Sequence, residues 1–491
     1  MAHATGPQSP SGMLTDLYQL TMAYAYWKAG ITSTEACFHL SFRGNPFEGG
    51  YTIAAGLAPA IAYLENLGFT DEDTAYLATL TGRGGTPLFS AEFLEWLRAF
   101  EFTGSVLGVP EGTVVFPHEP LLRVIGPIAE CQLVETALLN TVNFQTLVAT
   151  KAARVCRAAE GAPVIEFGLR RAQGPDGALS ASRAAYVGGC VGTSNVLAGQ
   201  AYGIPVGGTH AHSLVMVYDT ELEAFLAYVE AMPNNAVLLV DTYDTLEGVL
   251  HAVEAGRRLR ELGSDLIGIR IDSGDLAWLS VRAREMLDAA GFAEAKVYAS
   301  NELDEHTIES LKEQGAAIDV WGVGTKMVTA YDQPALGGVY KLSAVREPGG
   351  EWEPRVKVSE QAAKVTTPGL LQVRRFTDES GCLVGDMLYD ELVPPGEQCV
   401  MVDPADPTRR TSYCADHRAE ELLVPVFEGG RAVYDVPPLA ESRARTAAQL
   451  SRLDASHLRL LNPHVYKVGV ELGLYERKMA LIMAARGIDT P

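Results

Sequence analysis

A chain of 491 residues, 47% apolar and 20% charged, is long enough for two or three domains around a large core and has the composition of a globular protein. Its 39 Lys and Arg against 61 Asp and Glu leave a formal charge of −22, which argues against nucleic acid or an anionic membrane as partner. Against that acidic background any local group of arginines is informative. Seven scattered cysteines, odd in number and without a CxxC pair, fit a reduced compartment and exclude a disulfide scaffold or structural zinc site. The first residues carry no basic-then-apolar signal. No uncharged apolar run approaches the roughly 18 residues that span a bilayer, so the expected location is cytoplasmic.

Residues 1–12 read as a disordered tail. A helix follows from Leu14, with Thr15 or Asp16 as N-cap and Leu17, Tyr18 and Met22 at helical spacing. The alternating stretch ACFHLSFR predicts a strand, and helices are expected at about 56–68, 71–80 and 90–100. Gly and Pro punctuate short apolar strands over 102–127, and one long helix is expected from Ile128 to about Ala159.

After Gly161 strands alternate with helices. Strands are predicted at Pro163–Phe167, Ile204–Gly208, Val237–Asp241, Leu266–Ile271, Lys296–Ala299 and Ile318–Gly322, with helices at about 180–202, 219–231, 245–262, 275–290 and 304–314. This rhythm suits βα units of a parallel barrel or open sheet. The region 345–437 leans to β structure, and helices are expected at roughly 438–453 and 463–486.

The chemistry gathers just beyond the carboxyl ends of those strands, where parallel α/β folds build their sites. Arg170 and Arg171, adjacent in an acidic chain, suit a phosphate or carboxylate through charge-assisted bonds. Gly322-Val323-Gly324-Thr325 offers backbone N–H groups and a hydroxyl to a phosphate. Asp241 and Asp244 face Asp272 and Asp275 at neighbouring strand ends. Such hard oxygen ligands suit Mg²⁺ bound together with phosphates, with Ser273 and Asp244 read as helix caps. Arg270, inside the apolar strand GIRID, needs an anionic partner, either Asp272 or a substrate acid. His210 and His212, at i and i+2 in Gly207–Ser213, read from spacing alone as a capped turn or as site residues.

These motifs resemble the nicotinate phosphoribosyltransferase family over nearly the whole chain. They are LTDLYQLTMAYAYWKAG at 14–30, EFGLRRAQGPDG with THAHS within 166–213, DTYDT at 241–245, GIRIDSGDL at 268–276 and GVGTKMVTAYDQPALGGVYKL at 322–342. The resemblance implies a type II phosphoribosyltransferase fold: an irregular α/β barrel, flanked by an α/β sandwich built from both chain ends. The expected division is 13–130 and 341–491 for the sandwich with its terminal helices, and 131–340 for the barrel. It implies a ligase-like glycosyltransferase that joins nicotinate to 5-phospho-α-D-ribose 1-diphosphate with ATP hydrolysed alongside, Mg²⁺ as cofactor, and a homodimer with shared active sites.

By the same resemblance His212 is the phosphohistidine. Tyr18, Thr209 and Arg270 contact nicotinate, the tyrosine from the neighbouring subunit. Thr325 contacts the phosphoribosyl donor, and Arg170 and Asp241 sit in motifs at the same site; the residues themselves add Gly322 and Gly324 of the glycine loop as donor contacts and Asp272 as a metal ligand. The closest rival is a nicotinamide phosphoribosyltransferase, which carries an acidic residue at the position aligned with Asn195. A phosphate-binding barrel lyase or aldolase is a further alternative; it needs a Schiff-base lysine, for which Lys326 is the near candidate.

Overall fold

A computed structural model describes residues 11–360, 365–396, 399–414 and 417–488. Residues 1–10 of the expected disordered tail lie outside these. Gly12, the last residue of that tail, is anchored: its amide donates to the Gly68 carbonyl at 2.9 Å.

The chain forms two compact units. The first comprises residues up to 147, 335–438 and 445 onward; the second comprises 148–334 and 439–444. In the first unit a seven-stranded antiparallel sheet runs in the order Glu353–Pro354, Gly338–Arg346, Glu35–Phe42, Pro120–Pro127, Ser105–Gly108, Val424–Glu428, Arg431–Ala432. Glu35–Phe42 lies near its middle, pairing with Gly338–Arg346 on one side and Pro120–Pro127 on the other. A strand whose backbone is paired on both edges favours residues that bury on both faces, and Cys37, Leu40 and Phe42 have no exposed surface. A second, six-stranded mixed sheet joins Leu371–Thr377 and Leu383–Asp390 to Val468–Glu471. Its core holds Arg375, whose guanidinium grips the buried Asp386 carboxylate at both oxygens. Tyr466 donates to the same carboxylate at 3.0 Å. Paired and hydrogen-bonded in this way, a buried charge is tolerated.

The second unit is built on a six-stranded parallel half-barrel sheet. Its order is Gly192–Thr193, Val164–Glu166, Val320–Val323, Lys296–Asn301, Gly268–Ile271, Val237–Leu239. The strands are short apolar runs, as expected of a parallel sheet covered on both faces. Helices Gly174–Val187, Thr245–Glu261, Leu276–Ala289 and Glu305–Glu313 connect them. No helix among the described residues is long and apolar enough to cross a membrane.

Four local expectations are corrected. The helix expected at about 180–202 is two, Gly174–Val187 and Val196–Tyr202, with the short strand Gly192–Thr193 between them. Ile204–Gly208 is not a strand of this sheet: Pro205 lacks an amide and glycines flank the segment, leaving only a bridge between Thr193 and Val206. The edge position is taken by Gly192–Thr193. The helix expected from Ile128 divides into Ile128–Leu133 and Glu135–Ala158. At the C-terminus, the β-branched segment Val468–Glu471 forms a strand, and the last helix starts only at Leu472. Glu471 fixes that start by accepting from the amides of Gly473 and Leu474 at 2.8 and 2.7 Å.

Candidate active site

The carboxyl ends of the parallel strands carry one connected polar network. Glu166 ends its strand fully buried and satisfies three donors. Ser182 Oγ donates to it at 2.8 Å, Thr193 Oγ1 at 2.5 Å, and the Gly168 amide completes the set. This carboxylate ties the loop that opens with Gly168 to two other elements. The short 3₁₀ turn Leu169–Arg171 follows, with Arg170 and Arg171 exposed and Arg170 donating to the Phe167 carbonyl at 3.4 Å. In this acidic chain, two free-reaching guanidiniums at a strand end suit an anionic ligand.

Arg270, on strand Gly268–Ile271, reaches sideways. Nη1 donates to Thr209 Oγ1 at 2.7 Å and Nη2 to the His210 carbonyl at 3.0 Å. Its Nε is buried without a hydrogen-bond partner among the described residues. Neither acceptor is charged, and no carboxylate among the described residues forms an ion pair with it. Burial draws the guanidinium below its ordinary value, against the raising pull of Asp272 and Asp241. Arg270 and Thr209 are therefore brought together, and Asp272 is not the direct partner of the arginine.

Asp241 bridges two strand ends. Its Oδ2 accepts from the Asp272 amide at 3.0 Å and from Ser273 Oγ at 2.6 Å, while Oδ1 is buried and unpartnered among the described residues. Asp272 in turn accepts from Ser300 Oγ. The caps separate as follows: Asp244 caps helix Thr245–Glu261, but Asp275, not Ser273, caps Leu276–Ala289, accepting from the Trp278 amide at 3.1 Å. Ser273 is thereby free to serve Asp241. Among the described residues no group of three or more His, Cys, Asp or Glu side chains could hold a metal by itself.

The two histidines of the Gly207–Ser213 loop part company. His210 is buried, its Nε2 accepting from the Leu239 amide at 3.1 Å, which places its proton on Nδ1 against the Ala211 carbonyl. Burial pushes its pKa down to about 4, so the ring is neutral and structural. His212 opens helix His212–Val217, half-buried, with Nδ1 3.2 Å from Thr242 Oγ1. Gly322 lies within strand Val320–Val323 with its Cα facing Phe167: a Cβ there would come within 2.6 Å of the ring. Gly324 precedes the single turn Thr325–Val328, and Thr325 Oγ1 lies 3.4 Å from Glu302 Oε1.

The geometry weakens one alternative and removes one discriminator. Burial pulls the Lys326 ammonium down, but Asp304, 2.6 Å away, outweighs it and holds the lysine above its ordinary value. A Schiff-base lysine needs the opposite shift. Asn195 is buried as the N-cap of helix Val196–Tyr202, accepting from the Ala198 amide at 3.2 Å and donating to Ser182. Its amide is committed to the fold rather than to discriminating a substrate.

Tyr18 belongs to the other unit, on helix Leu17–Ala29, and is half exposed. That unit also holds a basic cavity of about 610 Å³ which the sequence reading did not single out. Arg43, Lys341 and His118 line it, with no carboxylate among its lining residues. Beside it Lys478 donates to Thr367 at 3.1 Å, and burial lowers both Lys341 and Lys478. Desolvated cations of one sign in a cavity favour an anion.

Comparisons with known proteins show the family. Models of the nicotinate phosphoribosyltransferase N-terminal domain, family and C-terminal domain match residues 13–143, 163–353 and 371–478. A nicotinate phosphoribosyltransferase of Bacillus subtilis is 47% identical over 474 residues, covering 95% of this chain and 94% of the relative. The chain belongs to the nicotinate phosphoribosyltransferase family. A family member of Mycobacterium tuberculosis is 41% identical, covering 98% of this chain and 96% of its own. Among solved structures, human nicotinic acid phosphoribosyltransferase superposes with a TM-score of 0.82 at 34% identity, covering 95% of this chain and 99% of that one.

Proposed function

We propose that this chain is a cytoplasmic nicotinate phosphoribosyltransferase. It joins nicotinate to 5-phospho-α-D-ribose 1-diphosphate, giving nicotinate mononucleotide and diphosphate, the first step of NAD salvage from nicotinate. The observation that carries the substrate choice is Arg270, a desolvated guanidinium at a strand end whose bonds run only to neutral oxygens. The nicotinate carboxylate supplies the missing charge; the neutral amide of nicotinamide does not. In the same reading the half-barrel sheet is part of an irregular α/β barrel flanked by an α/β sandwich. Homodimers share sites through Tyr18 of the neighbouring subunit.

The pyridine nitrogen attacks the anomeric carbon with its own lone pair as the bond to diphosphate breaks, so no general base is required. Thr209 and Arg270 orient the base. Arg170, the Gly322 and Gly324 amides and Thr325 hold the donor and stabilise the departing charge. Mg²⁺ would be held here by Asp241 Oδ1, unpartnered among the described residues, and by Asp272, together with diphosphate oxygens. When bound it supplies charge neutralisation on the leaving group. His212 accepts the γ-phosphoryl group of ATP through a ring-nitrogen lone pair, the P–O bond to ADP breaking as the P–N bond forms, and water later removes it as phosphate.

One assay tests the proposal: turnover of nicotinate and of nicotinamide with the phosphoribosyl donor, with and without ATP, for wild type and His212→Ala. The expected result is preference for nicotinate, ATP stimulation in wild type, and basal turnover without stimulation in the variant. Preference for nicotinamide refutes the substrate assignment, and undiminished ATP stimulation in His212→Ala refutes the phosphohistidine.

A further inference from the structure

The first unit contains a second cleft, of about 550 Å³, that the proposed reaction does not use. It opens between strand Gly338–Arg346, the turn after strand Leu383–Asp390, and helix Leu472–Ala485. Its wall is largely apolar, formed by Trp352, Leu392, Val393, Leu474 and Leu481. Leu392 and Val393 are about half exposed.

One end is polar, and there a donor is left over. Arg477 Nη2 is buried and has no hydrogen-bond partner among the described residues. The nearest carboxylate, Asp390, stands 3.8 Å away, beyond hydrogen-bond reach. Asp390 is committed elsewhere. Its Oδ1 accepts from the amides of Leu370 and Leu392 at 3.1 Å each. Gly369, at φ +99°, packs so tightly against the carboxylate that a Cβ would come within 2.5 Å of Oδ2. The carboxylate is thus held where it neutralises Arg477 only at a distance.

An unmade bond on a buried donor atom costs free energy that an incoming acceptor recovers, although the Arg477 side chain as a whole is partly exposed. An apolar hollow of a few hundred cubic ångströms with one oriented polar group is the usual form of a small-molecule site. We propose that this cleft binds a small amphipathic carboxylate. Its apolar body lies against Trp352, Leu474 and Leu481, and its carboxylate accepts from Arg477. The inference stands independently of the activity proposed above.

Octanoate is the probe, titrated into the full-length chain below its micelle concentration and followed by calorimetry and by tryptophan fluorescence, to which Trp352 contributes. Saturable binding is expected, weakened by about ten-fold or more in Arg477→Gln. It is expected to vanish in Leu481→Trp, where an indole fills the hollow. Both variants are checked for wild-type melting and wild-type nicotinate turnover, so that a folding defect is separated from a lost contact. Absence of saturable octanoate binding overturns the proposal, as does equal affinity in Arg477→Gln. Equally tight binding of octan-1-amine also overturns it, because an amine would be reading Asp390 instead.

Discussion

Replacing Arg270 with alanine removes the one guanidinium that spans the strand end and the Thr209–His210 loop. In the wild-type chain Nη1 and Nη2 are held at 2.7 and 3.0 Å and Nε is buried without a partner among the described residues, so the side chain is fixed in place and still has donor capacity to offer. Truncating one partner of a desolvated, hydrogen-bonded charge pair costs about 2–5 kcal/mol. At about 1.4 kcal/mol per factor of ten, that is a rise of roughly 30- to 3,000-fold in the KM for nicotinate. The donor KM should move by less than about ten-fold, because the phosphoryl groups rest on other residues. Arg270→Lys keeps the charge but loses the fork, and falls between the two. Steady-state kinetics with each substrate varied in turn decides the matter. Equal rises in both KM values would refute the carboxylate role and return Arg270 to general support of the loop. Discrimination offers a second check: the variant should lose most of its preference for nicotinate over nicotinamide.

Gly322→Ala places a methyl group against the Phe167 ring. The overpacking should cost about 1–3 kcal/mol in thermal or urea unfolding and raise the donor KM; an unchanged midpoint would show that the ring yields freely. Alanine at both Arg43 and Lys341 should weaken the binding of inorganic diphosphate to the basic cavity by about ten-fold or more and flatten its salt dependence, read by calorimetry; unchanged binding would show that the cavity is not an anion site. Acid should unfold the protein partly through His210. Its native pKa of about 4 lies below the unfolded value, so the unfolded chain binds the extra proton in between. The contribution is intact above about pH 6.5 and is lost toward pH 4, roughly 3 kcal/mol in all. His210→Gln should flatten that part of the pH–stability curve; an identical slope would assign the acid sensitivity elsewhere.

The sequence announces the half-barrel well and its edges poorly, and the reason is physical. Val237–Leu239, Gly268–Ile271, Lys296–Asn301 and Val320–Val323 are apolar runs that end in polar chemistry, so composition alone places them within a few residues. Gly192–Thr193 has two residues and no periodicity to detect, while Ile204–Gly208 has the right composition but a proline where an amide was needed. His210 and His212, carried on a single motif, are legible as a pair. Spacing does not divide their roles, because that depends on Leu239 and Thr242 reaching different rings. Ser273 was misread as a cap for the same reason: its hydroxyl turns to Asp241, which lies 32 positions away. The cavity of Arg43 and Lys341 was invisible, since nothing local joins two residues so far apart in the chain.

Strand Glu35–Phe42 has a consequence for how the molecule is made. Its neighbour Gly338–Arg346 arrives late: Glu35 bonds Arg346, 311 residues further on. The ribosome must deliver the whole of residues 148–334 before that edge can close. The parallel sheet can therefore mature during synthesis, while the antiparallel sheet waits with exposed strand edges, the condition under which chains pair wrongly. The last segments to emerge, among them Val424–Glu428 and Val468–Glu471, complete the two sheets of the first unit. Truncation near the C-terminus should thus be felt first as poor yield and aggregation of the nascent chain, before any change in turnover per folded molecule.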